Sequence, residues 1–321
     1  MFKTVVMNKD LPPLVSVVMC TYNGEKYIDE QITSILQQRY ENFELIVADD
    51  RSTDNTWSKL LYWQQQHPEK IKLFQNAVNL GYNKNFESAI QKASGDFIAL
   101  SDQDDIWLPE KITAQMAAFS DDTIVLVHNK SVRLEGSSLN YKKAALQHHF
   151  SGNRTRKFFF FNHIMGHDMI FRRSLVQYIV PIPDKMSYDW WISVVATCLG
   201  SVVSVGSFLV HHRIHESNNF FSSQAASKKK ELDLYETLRL FSAIPALRKE
   251  DAHYLAELIP LLEQQSVTSD KPAFNWKLFR FLLKHSKDIF GHKRRLLPAL
   301  SYLKNAIKYS KMSFKGRGIS I

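Results

Sequence analysis

The chain has 321 residues, 45 % of them apolar, enough for one large α/β domain or for a domain with an appendage, and it has no repeat or low-complexity tract. No window approaches the length of a membrane span, and the opening MFKTVVMNKDLPP lacks the apolar run of a secretory signal, so a cytoplasmic setting is expected. The net charge of +9 is unevenly placed: residues 221–321 carry 19 Lys and Arg against 9 Asp and Glu, while the rest is close to neutral, which separates a basic part from a part with another task.

The segment 14–20 (LVSVVMC) is apolar and β-branched and predicts a first strand, broken by the turn residues Thr21-Tyr22-Asn23-Gly24. An amphipathic helix over 25–38 follows, with Ile28, Ile32, Ile35 and Leu36 on one face. A second strand over 43–48 ends at Asp49-Asp50, and Ser52-Thr53-Asp54 leads into a helix that runs to about Gln66. A short strand at 71–74, a turn at 79–82 and a helix to Lys92 capped by Asn83 come next. Strand, turn and helix in repetition predict a parallel sheet with right-handed crossovers. Cys20 in the first strand and Cys198 in a later helix are far apart and read as separate buried thiols of a reducing compartment.

The stretch FIALSDQDDIWLP (97–109) organises the rest: an apolar strand that stops on Asp102, Asp104 and Asp105. Ligands of open α/β sheets bind outside the carboxyl ends of the strands. Three acids crowded at such an end repel one another unless a cation joins them, and hard oxygen ligands suit Mg²⁺ or Mn²⁺ shared with substrate phosphates. A polar turn capping the helix opened by Pro109 would account for one acid, not three. Beyond it, a strand is expected at 123–128, a polar loop at 135–157, a strand at 165–171, a helix at 189–199 closed by Gly200, and short strands at 202–205 and 208–210. After residue 222 the pattern is helical only.

The blocks VSVVMCTYNGEKYI, ELIVADDRSTDNT, NLGYNKNF, ALSDQDDIWLPEK, YDWWISVVA and HRIHESNNF stand in the order found in bacterial family 2 glycosyltransferases. SDQDDIW and the later DWW most resemble the rhamnosyltransferase-like members. The resemblance spans about residues 14–220 and implies a GT-A fold: a Rossmann-like, mostly parallel sheet flanked by helices, with a helical extension over 221–321. It also implies inverting transfer of a sugar from a nucleotide-diphosphate donor to a cell-surface glycan or lipid-linked acceptor. Carried over to this chain, Thr21, Tyr22 and Asn23 line the nucleobase pocket and Asp50 receives the ring N–H of the base. Ser52 and Gly81, in the DRSTD and NLGYN blocks, join the donor site. Asp102 faces ribose or metal, Asp104 holds the divalent ion, and Arg213, His215 and Asn218 form an RxHxxN element near the diphosphate, with His215 as a third metal ligand, a role for which His211 and His212 compete. Asp189 is the base. Tyr188 precedes it where relatives carry His or another acid.

Transfer needs a carboxylate to take the proton of the attacking hydroxyl. Asp189 suits that role, and the cap of its helix is a competing use. Either Trp190 or Trp191, not both, can offer a sugar an aromatic platform, since adjacent helical residues point apart. Asp50 has its own rival use, as a turn acid steadying Arg51-Ser52. In 276–290, Lys277, Arg280, Lys284 and Lys287 oppose Leu278, Phe279, Leu282, Leu283, Ile289 and Phe290, the pattern either of a helix lying on an anionic membrane or of one packed on the protein. Two other classes fit parts of the sequence. The basic tail suits a nucleic-acid binder but carries no nucleic-acid motif, and none is expected as partner. A non-catalytic sugar-nucleotide binder is opposed by the intact Asp102, Asp104 and Asp189.

Overall fold

A computed structural model of the chain describes residues 12–145, 149–184, 186–215, 234–267, 273–291 and 297–311. Strands β1 (Val15–Thr21), β2 (Phe43–Asp49), β3 (Ile71–Gln75) and β4 (Phe97–Ser101) pair in parallel in the order β3-β2-β1-β4. Every residue of β2 and β4 is buried, as expected of parallel strands covered on both faces. The crossovers are α1 (Ile28–Leu36), α2 (Thr56–Gln66) and α3 (Tyr82–Lys92). Ile28, Ile32 and Ile35 turn inward from α1, and Phe86, Ala89 and Ile90 from α3. This layering sets the carboxyl ends of β1, β2 and β4 along one edge.

The sheet then changes direction. Past β4 come β8 (Met169–Arg172), β6 (Ile124–Glu135), β9 (Ser201–Ile214) and the two-residue β5 (Ile106–Trp107), with β7 (Ser138–Leu139) paired to β6. β8 is antiparallel to both β4 and β6, and β6 runs parallel to β9. The structure lengthens what the sequence suggested here. The strand expected at 123–128 extends to Glu135 and turns at Gly136 into β7, replacing part of the expected loop. The two short strands at 202–205 and 208–210 are one, bent at Gly206, whose φ of 78° is the left-handed value that glycine tolerates. In both places pairing between β6 and β9 overrides local polarity. Asn83 does not cap α3: Gly81, with φ 80°, holds that position. Helix α4 (Lys111–Ala117) begins two residues after Pro109; α5 (Tyr141–Ala144) and α6 (Val176–Ile179) are single turns.

The chain divides into two compact units. The sheet unit comprises the chain through Ser151, Ile164–Ile182 and Ser201–His215. Gly152–His163 and Pro183–Gly200 group with the C-terminal helices in the other. That helical unit contains α7 (Tyr188–Leu199), α8 (Leu234–Ser242), α9 (Lys249–Val267), α10 (Trp276–Lys284), α11 (Ser286–Phe290) and α12 (Pro298–Tyr309). Its aromatic centre is the fully buried Phe241, with Phe159, Trp190 and Trp191 at centroid distances of 6.0, 5.6 and 6.4 Å. Arg156 and Arg248 both donate to the buried Asp251 carboxylate, at 2.8 and 3.2 Å. The helix expected over 276–290 breaks at His285, and Leu278, Leu282, Ile289 and Phe290 are buried inside the unit, the second of the two uses weighed for that apolar face. Packing has claimed that face. Cys20 and Cys198 are free thiols.

Candidate active site

The edge of the sheet unit carries two acidic strand ends. At the end of β2, Asp49 and Asp50 are both buried, yet they serve different loops. Asp49 accepts from Ser52 N–H at 3.0 Å, from the Ser52 hydroxyl, from the Thr21 hydroxyl and from Gln75, and so ties β1 and β3 to the turn after β2. Asp50 accepts from the Leu80 and Gly81 N–H groups at 2.7 and 2.8 Å and from Asn76 Nδ2 at 2.8 Å. The rival use considered for Asp50, steadying Arg51-Ser52, falls to Asp49 instead. Asp50 anchors the 76–81 loop. A carboxylate has about four acceptor sites, so three of those on Asp50 are taken by its own chain.

The 21–24 turn is braced by the other loops. Asn23 and Arg51 have positive φ, 49° and 63°, each in the small left-handed region. Asn23 N–H donates to Ser52 Oγ at 2.9 Å and Asn23 Oδ1 accepts from Thr53 N–H at 2.8 Å, locking the two turns together. Gln103, between the acids, accepts from Tyr22 N–H at 2.9 Å and donates to Tyr22 carbonyl at 3.1 Å. A Cβ at Gly24 would lie 2.3 Å from Gln103 Oε1, so a larger residue there would push the Gln103 amide away from Tyr22. Thr21, Tyr22, Asn23, Ser52, Asp50 and Gly81 are thus one connected rim, with the rings of Tyr22 and Tyr82 and the side chain of Leu80 exposed along it.

The second acidic end follows β4. Asp104 is buried, and its Oδ2 lies 2.8 Å from His215 Nε2. Burial pushes the Asp104 carboxyl above its usual range, the His215 hydrogen bond works against that, and the charges of Asp105 and Asp102 add to the rise. Asp105 is fully buried. Its Oδ1 lies 3.0 Å from His212 Nδ1 and accepts from Arg213 N–H at 3.1 Å, while Oδ2 has no hydrogen-bond partner among the described residues and sits 3.6 Å from His167 Nδ1. Burial would raise Asp105, but the charges of His167 and then His212 hold it below the normal value. Asp102 Oδ2 lies 3.1 Å from the same His167 Nδ1. Burial lowers the His167 pKa, and Asp105, Asp168 and Asp102 outweigh it, lifting the imidazole to about 10. The rings of His167 and His212 stack with centroids 4.5 Å apart.

Arg213 donates from Nε to the Asp104 carbonyl at 2.9 Å, pairs with Glu30 and lies 4.7 Å from the Tyr27 ring, which is tilted against the His215 ring with centroids 4.7 Å apart. Asn218 lies outside the described residues. Asp189 belongs to the helical unit, in the first turn of α7. It accepts from the Ser187 hydroxyl and, at 2.7 Å, from Trp190 N–H. Ser187, not Asp189, is the N-cap residue. Trp190 is half-buried and donates its indole N–H to the Phe158 carbonyl at 2.6 Å; Trp191 is buried.

The structure adds residues that the sequence pattern passed over. His167 and Asp168 were absorbed into an expected strand at 165–171, whereas Gly166–Asp168 is a 3₁₀ turn that aims both side chains inward. A polar pair inside an otherwise apolar run was the available signal. Asp168 accepts from Asn129 Nδ2 at 2.7 Å and Ser131 Oγ at 3.1 Å, and burial raises its pKa. Lys111 is fully buried with Nζ 3.3 Å from the Trp107 ring centroid and no hydrogen-bond partner among the described residues. Burial pushes it down to about 7 against the pull of Asp168, Asp105 and Asp102.

The donor set fits a hard divalent cation. Asp102, Asp104 and Asp105 crowd one strand end, Asp104 is raised by burial and then by its acidic neighbours, and imidazoles reach three of the carboxylates. Among the described residues, Asp102, Asp105, His167 and His212 form a group that presents one ligand atom each within 4.8 Å of one another, a set that Asp104 and His215 adjoin without joining.

Solved structures with this architecture place it in the GT-A class. Staphylococcus aureus TarS (residues 1–349) with UDP-GlcNAc superimposes with a TM-score of 0.59 over 92 % of this chain and 90 % of that one, at 20 % identity. The Pyrobaculum calidifontis mannosyltransferase PcManGT, in complex with GDP-Man and Mn²⁺, gives 0.54 over 94 % and 83 %, at 17 % identity. The family model described as glycosyl transferase family 2 matches residues 16–179. Escherichia coli WfgD, a UDP-Glc:α-D-GlcNAc-diphosphoundecaprenol β-1,3-glucosyltransferase, is 30 % identical over 82 % of this chain and 97 % of its own length. The chain belongs to glycosyltransferase family 2, and the fold and enzyme class implied by its motifs hold.

Proposed function

We propose that this glycosyltransferase moves a sugar, with inversion, from a nucleotide-diphosphate donor to a lipid-linked or cell-surface glycan acceptor. The observation that carries the reading is the buried Asp104 carboxylate, raised by burial and by its acidic neighbours and matched to His215 at the carboxyl edge of the sheet. Base and ribose of the donor would lie on the braced rim of Thr21, Tyr22, Asn23, Ser52 and Gly81, whose loop Asp50 holds in place. Asp50 keeps acceptor capacity for the ring N–H of a base. Asp102, Asp104 and His215 would hold the divalent ion, Mn²⁺ or Mg²⁺, which when bound offsets charge on the departing diphosphate as a Lewis acid. Arg213, fixed by Glu30 and the Asp104 carbonyl, supplies a further positive charge near that diphosphate.

In this reading Asp189 receives the proton of the acceptor hydroxyl as its oxygen bonds to the anomeric carbon from the face opposite the leaving group. The C–O bond to the nucleotide diphosphate breaks with both electrons leaving on oxygen, so the product has inverted configuration. The Ser187 hydroxyl and the Trp190 N–H both donate to Asp189 Oδ1 and fix the orientation of the carboxylate at the start of its helix. The acceptor class is supported by the diphosphoundecaprenol-linked substrate of WfgD, and the use of a nucleotide sugar by the donors held by TarS and PcManGT. Rhamnose remains the sugar suggested by SDQDDIW and DWW. No helix among the described residues is long and apolar enough to cross a membrane.

The test is a thermal-shift panel of UDP-, GDP- and dTDP-sugars, each with and without Mn²⁺, followed by transfer assays with the stabilising donors. Stabilisation by one nucleotide class that depends on the cation supports the reading; a flat panel contradicts it.

A further inference from the structure

The helical unit presents an apolar surface different from the one its sequence suggested. On α12, Leu300, Leu303 and Ile307 fall on one side and are 61, 39 and 37 % exposed, while Ala306 and Tyr309 on the opposite side are buried. Leu297, just before this helix, is 64 % exposed, and Trp276, at the start of α10, 66 %. The two helices flank a shallow open groove lined by Phe274, Trp276, Phe279, Ile307 and Lys311. In it Trp276 stands edge-on to Phe274 and Phe279, at 4.7 and 5.9 Å.

The charge around this surface is of one sign. Lys277, Arg280, Lys304, Lys308 and Lys311 are exposed beside it, and Lys304 and Lys311 fall on the same side of the turn as Leu300 and Ile307. From residue 271 to the end the sequence holds 13 Lys and Arg and a single acid, Asp288. Leucines and a tryptophan interleaved with lysines need a partner that is apolar inside and negative at its surface. A second copy of the chain would set lysine against lysine. A nucleic-acid backbone would meet the lysines but leave the leucines in water.

We propose that this face seats the protein on an anionic lipid bilayer. Trp276, Leu297, Leu300, Leu303 and Ile307 enter the boundary between headgroups and acyl chains, and Lys304, Lys308 and Lys311 meet headgroup phosphates. The proposal rests on the lipid-linked acceptor only for its purpose, since the surface stands on its own residues.

The full chain is spun down with vesicles of phosphatidylcholine containing about 30 % phosphatidylglycerol, and with phosphatidylcholine alone, at physiological salt. Binding is expected to the anionic vesicles, at least about tenfold weaker to the neutral ones. Leu300→Glu with Ile307→Glu should weaken anionic binding by about tenfold or more. Lys304→Glu, Lys308→Glu and Lys311→Glu together should do the same while the melting temperature stays put, since all of these side chains are exposed. Equal pelleting of wild type and both variants, or none by wild type, overturns the proposal. So does a wild-type dimer that Ile307→Glu converts to a monomer without any vesicle binding, because a second copy then covers the face. Donor-dependent thermal shift, measured on the same samples, reads the transferase assignment separately. Vesicle binding without donor binding leaves this surface standing and removes the assignment, and donor binding without vesicle binding does the reverse.

Discussion

Two strand ends of the same sheet carry paired acids, and the structure uses them in opposite ways. After β2, Asp49 and Asp50 are engaged mainly by donors of neighbouring strands and loops: Ser52, Thr21 and Gln75 on one, Leu80, Gly81 and Asn76 on the other. After β4, the carboxylates of Asp102, Asp104 and Asp105 face imidazoles and one another, and one buried oxygen, Asp105 Oδ2, makes no hydrogen bond among the described residues. On the proposed function the first pair shapes the donor rim and the second group of acids keeps charge for a cation. An acid whose lone pairs are filled by backbone N–H groups is architecture; an acid held up by burial and like charge is set to take a cation.

The contrast is broken most sharply at Asp104. Asp104→Ala should lower transfer by about a thousandfold and abolish the cation-dependent part of donor stabilisation, measured by steady-state assay and thermal shift. Asp189→Asn should cost transfer by about a thousandfold or more while leaving donor-induced stabilisation intact; normal turnover would remove it as the base. Asp50→Ala acts through the fold as well: it strips the acceptor from two backbone N–H groups and an amide, so a loss of about 3 kcal/mol in denaturant unfolding is expected, together with weakened donor binding.

Smaller effects sharpen the same distinction in the surrounding shell. Lys111 is buried without a hydrogen-bond acceptor, so Lys111→Met should change unfolding stability by no more than about 1 kcal/mol, in either direction, where loss of a paired buried charge would cost several. At the foot of the sheet, Glu44 accepts from Lys72, Ser16 and Ser94. Burial raises its pKa, and these hydrogen bonds more than reverse the effect, bringing the carboxyl down to about 2. A depressed acid contributes stability that is fully present above its unfolded pKa and is lost as pH falls through its folded one. Glu44→Gln should therefore flatten the loss of melting temperature between about pH 4.5 and 2.

Much of this was legible in the sequence, and what was not has a physical reason. The four parallel strands could be read because fully apolar runs ending in turn residues have few other uses, and the motifs on their carboxyl ends carried the family. The long pairing of β6 with β9 could not, because residues such as Lys130, Arg133 and His212 lie in strands only through a partner some eighty residues away. The imidazole layer was legible only in part, for a related cause: His212 was one of three histidines competing for the metal, His167 was passed over, and the two come together only after β8 and β9 are placed beside β4 and β5. The face of 276–290 stayed open between two uses because helical periodicity locates an apolar side without saying what covers it. There, the protein's own core does.

Manganese binding followed by electron paramagnetic resonance tests the central claim most directly. Wild-type protein with a nucleoside diphosphate should remove the free-ion signal at stoichiometric metal, and Asp104→Ala should leave that signal in solution while retaining the wild-type melting temperature without metal. Equal loss of the free signal in wild type and Asp104→Ala would contradict the account.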